Sequence, residues 1–246
     1  MKRLLFPIFV LLIFNQITYA QMKPEDTDVW KPVPPVITPG EGTAPPSDAI
    51  VLFDGKNFDQ WESSKDHGPV KWELKDGAMT VVKFTSDIQT KQSFGDCQLH
   101  IEWRAPSEIK GESQSRGNSG IYIQKQYELQ VLDSYNNPTY VNGQAGSIYK
   151  QSIPLVNACR KPGEWQTYDI IFTAPTFADD GKLLSPPYIT VLQNGVLIQN
   201  HFQIKGTTEN VGLPKIIKHG DAPLLLQCHN DEGNPVSFRN IWIRKL

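Results

Sequence analysis

The chain has 246 residues, with 24 Lys+Arg against 26 Asp+Glu and a formal net charge of -2. That near-balance supplies no basic stripe for a phosphate backbone and argues against nucleic acid as a partner. Charged residues make up 20% and apolar ones 39%, with 18 Gly and 19 Pro, which excludes a disordered or coiled-coil chain and describes a turn-rich globular one.

Lys2 and Arg3 precede an apolar run from Leu4 to Phe14, and Thr18-Tyr19-Ala20 closes the segment on a small residue. This order predicts a secretory signal peptide over residues 1–20, cleaved after Ala20, and hence a periplasmic or extracellular protein. The apolar run is well under the roughly 20 residues that a membrane-spanning helix needs, so no transmembrane segment is expected. With no Cys beside the cleavage site, a lipid anchor is not expected either. Loss of Lys2 and Arg3 leaves 22 basic against 26 acidic residues, a mature charge of -4.

Residues 21–48 hold seven prolines and almost no periodic pattern. Proline fixes φ and removes a donor, so this stretch predicts an extended arm. Trp30 favours a strap laid on a surface over a free tether, because a tether gains nothing from an exposed indole.

From Ala49 onward the signal is β almost throughout, and residues 49–246 are expected to form one domain. Ile50 to Phe53 opens the series. Residues 72–82 are two short runs joined by Asp76-Gly77, and residues 189–199 are two more joined by Asn194-Gly195. Both dipeptides supply the positive φ of tight hairpin turns. Further strands are expected at 98–104, 119–124, 127–132, 165–172, 223–227 and 238–244. No dozen residues sustain a helical period. Many short strands with turn signals and no intervening helices predict an all-β antiparallel sandwich. Three longer connections interrupt it, at 105–118, 133–164 and 201–222. The middle one carries Tyr135, Tyr140, Tyr149, Lys150 and Arg160 and is expected to wall a site.

Cys97, Cys159 and Cys228 are odd in number and show no C-x-x-C spacing. They argue against a disulfide framework and a structural zinc site, leaving one bridge with a spare thiol or three buried thiols.

Three segments could carry chemistry. In Gln98 to Arg104, Leu99, Ile101 and Trp103 face one way, while Gln98, His100, Glu102 and Arg104 face the other. The charged face is either an ordinary solvated surface or a concave face that receives a ligand. In Tyr127 to Asp133, Glu128 and Gln130 share a face, and Asp133 joins them only if a bulge or the strand end re-aims it. That spacing resembles the bulged catalytic strand of laminarinase-like retaining glycosidases, with Gln130 where they place an Asp. His229 ends the apolar run from Pro223 and opens a polar turn, a position suited to a general base, a ligand or a plain surface residue. No G-x-S-x-G, phosphate loop or dinucleotide fingerprint occurs, so serine hydrolase, NTPase and dehydrogenase lack their minimum parts.

Taken together, residues 50–61, 117–122, 127–134, 163–170 and 235–244 resemble the motifs of the 3-keto-disaccharide hydrolase family, and the resemblance runs from about Ile50 to the C-terminus. It implies a concanavalin A-like lectin/glucanase type jelly roll, export, and a carbohydrate substrate whose sugar carries a ketone at C3. It implies catalysis by C2 proton abstraction, elimination at C1 and water addition. The expected base is His229 or Glu128. Asp133 would orient or protonate, and Arg116, Lys150 or a bound divalent metal would steady the oxyanion. Glu102, Arg104, Tyr122, Gln130 and Tyr149 would position sugar hydroxyls. Cys228 and Asn230 flank His229 where the family often has Asp and Gly. A noncatalytic carbohydrate-binding sandwich and a conventional glycosidase built on Glu128 and Asp133 stay open beside this reading.

Overall fold

The computed structural model describes residues 22–230 and 235–246, so the expected signal peptide lies outside the described residues. By contacts the chain divides into a unit ending at Val36 and a unit from Ile37 to Leu246. In the first, residues 22–36 form one 3-10 turn at Pro24–Thr27 and otherwise extended chain, as seven nearby prolines dictate.

The second unit is built from strands β1 (Ile50–Phe53), β2 (Trp61–Ser63), β3 (Glu73–Lys75), β4 (Ala78–Thr80), β5 (Ile88–Phe94), β6 (Cys97–Arg104), β7 (Ser119–Ile123) and β8 (Tyr127–Val131). They continue as β9 (Gln166–Thr173), β10 (Thr176–Phe177), β11 (Leu183–Ser185), β12 (Tyr188–Gln193), β13 (Val196–Gln203), β14 (Ala222–Leu226) and β15 (Ser237–Lys245). An eight-stranded antiparallel sheet runs β13-β12-β9-β6-β15-β4-β3, with β1 also paired to β15. A five-stranded sheet runs β2-β5-β14-β7-β8, and β10 and β11 form a small ribbon. The all-β sandwich expected from the strand pattern is the observed fold.

Period-two alternation builds the core between the two sheets. Leu99, Ile101 and Trp103 of β6 and Tyr168, Ile170 and Phe172 of β9 point inward from the larger sheet. Ile121, Ile123, Leu129 and Val131 meet them from β7 and β8. Trp103 packs on Tyr168 at 5.5 Å between ring centroids, and the Tyr168 hydroxyl donates to the Gln130 carbonyl at 2.9 Å, joining the sheets at mid-core. The Asp76-Gly77 and Asn194-Gly195 turns both adopt two successive positive φ values, as their hairpins require.

Four strands were not legible in the sequence: β2, β5, and the ribbon strands β10 and β11, which are only two and three residues long. β2 is three residues long, and β5 reads Ile88-Gln-Thr-Lys-Gln-Ser-Phe94, with too few apolar residues to stand out. β5 is nonetheless held inside the sheet between β2 and β14, and its buried Thr90 hydroxyl is satisfied, donating to the Gln92 carbonyl and accepting from the Leu224 amide. All three cysteines are free thiols. Burial pushes Cys97 up to about 12 and Cys159 up to about 11, so both stay protonated and pack as small apolar groups. Among the described residues, no helix is long and apolar enough to cross a membrane.

The middle of the polar face of β6, at His100 and Glu102, is neither solvated nor open to a ligand, because residues 37–48 lie over it. His100 and Glu102 are only 1% and 5% exposed. The Thr43 hydroxyl donates to Glu102 at 3.0 Å, and the Thr43 carbonyl accepts from Asn240 and from the Trp242 indole. Arg239 donates to the second Glu102 oxygen at 2.6 Å. Burial works against Glu102's charge, but its bonds from His100, Asn240 and Arg239 win and hold its carboxyl down at about 2. Burial likewise opposes charge on His100, yet the Asp169 and Glu102 carboxylates outweigh it and raise the imidazole to about 9.

A raised folded pKa on His100 means that its contribution to stability is complete below pH 6.5 and is lost as pH climbs through 9. Between those limits the unfolding free energy of the parent should fall on the order of 2 kcal/mol more than that of His100→Gln. Urea titrations of both proteins at pH 6.5 and pH 9 check this; parallel pH dependences would contradict it.

Candidate active site

The site lies on the outer face of the five-stranded sheet, and the register of β7 and β8 creates it. With Ile121, Leu129 and Val131 turned to the core, Tyr122, Glu128 and Gln130 must face outward. Tyr122 stands opposite Glu128 and Gly120 opposite Gln130. Gln227, just past β14, donates its amide to the Gly120 carbonyl and extends that row. Loop residues close the space: Asn118, Tyr149, Thr208, Asn210 and His229 complete a cavity of about 250 Å³ with Tyr122, Glu128, Gln130 and Gln227.

Gly120 makes room for the central carboxyl. A Cβ there would stand 2.6 Å from Glu128 Oε1 and 2.8 Å from the Tyr122 ring, far inside contact distance. Glu128 is 4% exposed, accepts the Tyr122 hydroxyl at 2.8 Å, and donates its backbone amide to Thr208 at 2.9 Å. Burial raises its carboxyl to about 7, with the Asp87 carboxylate adding to the rise, while the Tyr122 bond and the Lys150 charge pull it back. Burial also keeps the phenols of Tyr122 and Tyr149 well above their ordinary range, so both remain hydrogen-bond donors.

Asp87 precedes β5 and is the second carboxyl of the site. Burial raises it, while the Cys228 amide, at 2.7 Å, and the charge of His229 act in the opposite direction. The same backbone segment that receives Asp87 therefore presents His229 to the cavity. Gln130 donates to Asn118 at 3.0 Å, and Asn118 donates to the Gln114 carbonyl at 2.7 Å, which fixes both amides. The side-chain carbonyl oxygens of Gln130 and Gln227 are buried and accept no donor from the described residues. On the loop side, the hydroxyls of Tyr140 and Tyr149 are 2.6 Å apart. Lys150 lies 5.3 Å from the Tyr149 ring and donates to the Asn210 side chain at 3.0 Å.

Of the residues expected from sequence, the structure brings Glu128, His229, Tyr122, Gln130 and Tyr149 into one cavity, with Lys150 at its wall. Asp133 and Arg116 are elsewhere. β8 ends at Val131, and Asp133 turns to accept Arg116 Nε at 2.6 Å, while the same guanidinium donates to the Tyr135 carbonyl. Glu102 and Arg104 sit on the larger sheet, Glu102 beneath residues 37–48 and Arg104 stacked over Trp165 at 4.6 Å. Asp87, Asn118, Thr208, Asn210 and Gln227 were missed. Asn118 lies within the 117–122 motif, and Thr208 and Asn210 lie in the third long connection, whereas Asp87 gave no local signal. Among the described residues, no group of three His, Cys, Asp or Glu side chains is placed to hold a metal ion. The cavity is equipped to move a proton at near-neutral pH and to hold hydroxyl groups.

The 3-keto-alpha-glucoside-1,2-lyase-like domain family matches residues 48–244. A crystal structure of a proposed glycosyl hydrolase from Parabacteroides distasonis ATCC 8503 is 60% identical and superposes with a TM-score of 0.89, covering 93% of this chain and 98% of that one. Two further proposed glycosyl hydrolases of the same organism are each 21% identical. Their TM-scores are 0.58 and 0.55, over 81% and 80% of this chain and 94% and 99% of theirs, and they share its fold. No curated protein matches the chain.

A carboxyl raised from 4.5 to about 7 costs the folded state nothing below the lower value and its full penalty above the higher one. Glu128→Gln should therefore stabilise the protein by up to about 3 kcal/mol at pH 8 and hardly at all at pH 4. Thermal melts at the two pH values measure the difference; a variant less stable at pH 8 would contradict the placement.

Proposed function

Since the chain belongs to the 3-keto-alpha-glucoside-1,2-lyase-like family, we propose that it cleaves glycosides whose sugar carries a ketone at C3. Action on glycosides is supported by the family and by the 60%-identical relative. The observation that carries the finer reading is Glu128, a buried carboxyl held at about 7 in the polar cavity. A base is most useful when its pKa lies near the working pH.

The ketone acidifies the proton on C2. Glu128 takes that proton, and the electron pair of the broken C2–H bond moves to the C3 oxygen as an enolate. The pair returns as the C1–O bond breaks, forming the C1=C2 bond of an enone, and His229 protonates the departing oxygen. Water then adds across C1=C2, OH to C1 and H to C2, so that the sum is hydrolysis. Gln227 Nε2, whose bond to Tyr122 is a long 3.4 Å, is the amide donor least committed and faces the enolate oxygen. Asp87 accepts the Cys228 amide and so fixes the segment that presents His229, and Gln130, Tyr149, Thr208 and Asn210 position the sugar hydroxyls. Asp133 and Arg116 secure the end of β8, and Glu102 secures residues 37–48; none of the three takes part in the chemistry. An exported site of action fits the signal peptide expected at residues 1–20.

One glucoside assayed beside its C3-oxidised derivative tests the proposal. Cleavage of the keto form alone, with a primary isotope effect when C2 carries deuterium, is the expected result. Cleavage of the plain glucoside would favour a two-carboxylate glycosidase, and binding without cleavage a carbohydrate-binding sandwich. Glu128→Gln should lower kcat/KM by about 10² to 10⁴. Tyr122→Phe removes a bond that lowers the Glu128 pKa, so the ascending limb of the kcat/KM profile should move to higher pH.

A further inference from the structure

Phe84 is the most conspicuous feature beside the cavity that the chemistry above leaves unused. It is 82% exposed and has a φ of +60°, a conformation that a bulky side chain rarely adopts. A single exposed apolar residue is ordinary. Here, however, the turn is clamped in that conformation: the Phe84 amide donates to Asn230 Oδ1 at 2.9 Å, and the Thr85 hydroxyl donates to the Val82 carbonyl at 2.6 Å. The Cys228 thiol reaches the same Val82 carbonyl. Residues 82–85 are thus fastened to the segment 228–230 that presents His229, and a strained aromatic held open beside a site is a common mark of function.

Phe84 also borders a second cleft of about 160 Å³, lined with it by Ser63, Lys65, Asp66, Lys71 and Ser86. The register places this cleft and the catalytic cavity at the same end of the five-stranded sheet. Ser63 pairs with Ile88, Ile88 with Leu226, Leu226 with Ile121, and Ile121 with Leu129. Asp87 follows Ser86 directly, accepts the Cys228 amide beside His229 at 2.7 Å, and its charge adds to the rise of Glu128. The groups that handle the leaving oxygen therefore stand between the two spaces. The cleft supplies one apolar ring and several donors and acceptors, the lining that a pyranose with an apolar C–H face and a rim of hydroxyls requires. We infer that Phe84 and this cleft form the leaving-group subsite, receiving the second sugar of a disaccharide with the Phe84 ring as its stacking platform. This rests on the glycoside reading above and adds to it the residues that receive the leaving group.

The test compares two substrates oxidised at C3, a glucosyl disaccharide and a methyl glucoside, in the parent, Phe84→Ala and Phe84→Trp. Phe84→Ala should lower the disaccharide-to-methyl preference about five-fold, through a higher KM for the disaccharide at unchanged kcat. Phe84→Trp should keep the preference, and the methyl glucoside serves as the control for folding. An unchanged preference in Phe84→Ala, or an equal loss on both substrates, would overturn the subsite. If the parent cleaves neither substrate, the elimination reading fails, and the subsite is judged separately by titration calorimetry with the unoxidised disaccharide. Weaker binding to Phe84→Ala than to the parent then supports it, and equal binding rejects it.

Discussion

The register of β7 against β8 is the constraint on which both the core and the site depend. One choice of pairing sends Ile121, Ile123, Leu129 and Val131 into the sandwich and Tyr122, Glu128 and Gln130 onto its outer face. A slip by one residue would exchange the two sets, placing a carboxyl among Trp103, Tyr168 and Phe172 and four aliphatic groups in the cavity. The pairing is therefore enforced by the hydrophobic effect, and the alignment of the polar residues comes with it at no separate cost. The bond from Tyr168 to the Gln130 carbonyl ties this register to the opposite sheet.

The same argument marks how much was legible in the sequence. Alternation and turn dipeptides are local properties, so β1, β6 to β9, both Gly-turn hairpins and the shared face of Glu128 and Gln130 could be read directly. Burial by distant residues is not local. Nothing in Gln98 to Arg104 announces that residues 37–48 will cover Glu102, and nothing in Tyr127 to Asp133 announces that the strand stops at Val131 and hands Asp133 to Arg116. Asp87 shows the opposite failure. It stands at the start of a strand too polar to be noticed, and only the pairing of β5 with β14 brings it beside His229.

Burial disfavours the charge of both buried glutamates, yet their net shifts are opposite. Glu102 is surrounded by Arg239, Asn240, Thr43 and His100 and stays ionised at about 2, whereas Glu128 has one phenol donor and rises to about 7. Partner number, more than depth, separates a carboxylate that fastens backbone from a carboxyl poised to exchange a proton. Gly120 belongs to the same economy of space, because a methyl group in its place would push Glu128 away from Tyr122.

The position of β15 bears on how the chain reaches this structure. The most C-terminal of the described strands lies in the interior of the larger sheet, between β6 and β4, and its Asn240 and Trp242 side chains donate to the Thr43 carbonyl. The contacts that complete the sheet thus join residues nearly two hundred positions apart, and such non-local topologies form slowly. While β15 is still being synthesised, β6 and β4 have no partner between them, and the inward faces of both sheets remain unsealed. Completion of this sheet is thereby postponed until β15 has been made, and the chain is most open to aggregation over that interval.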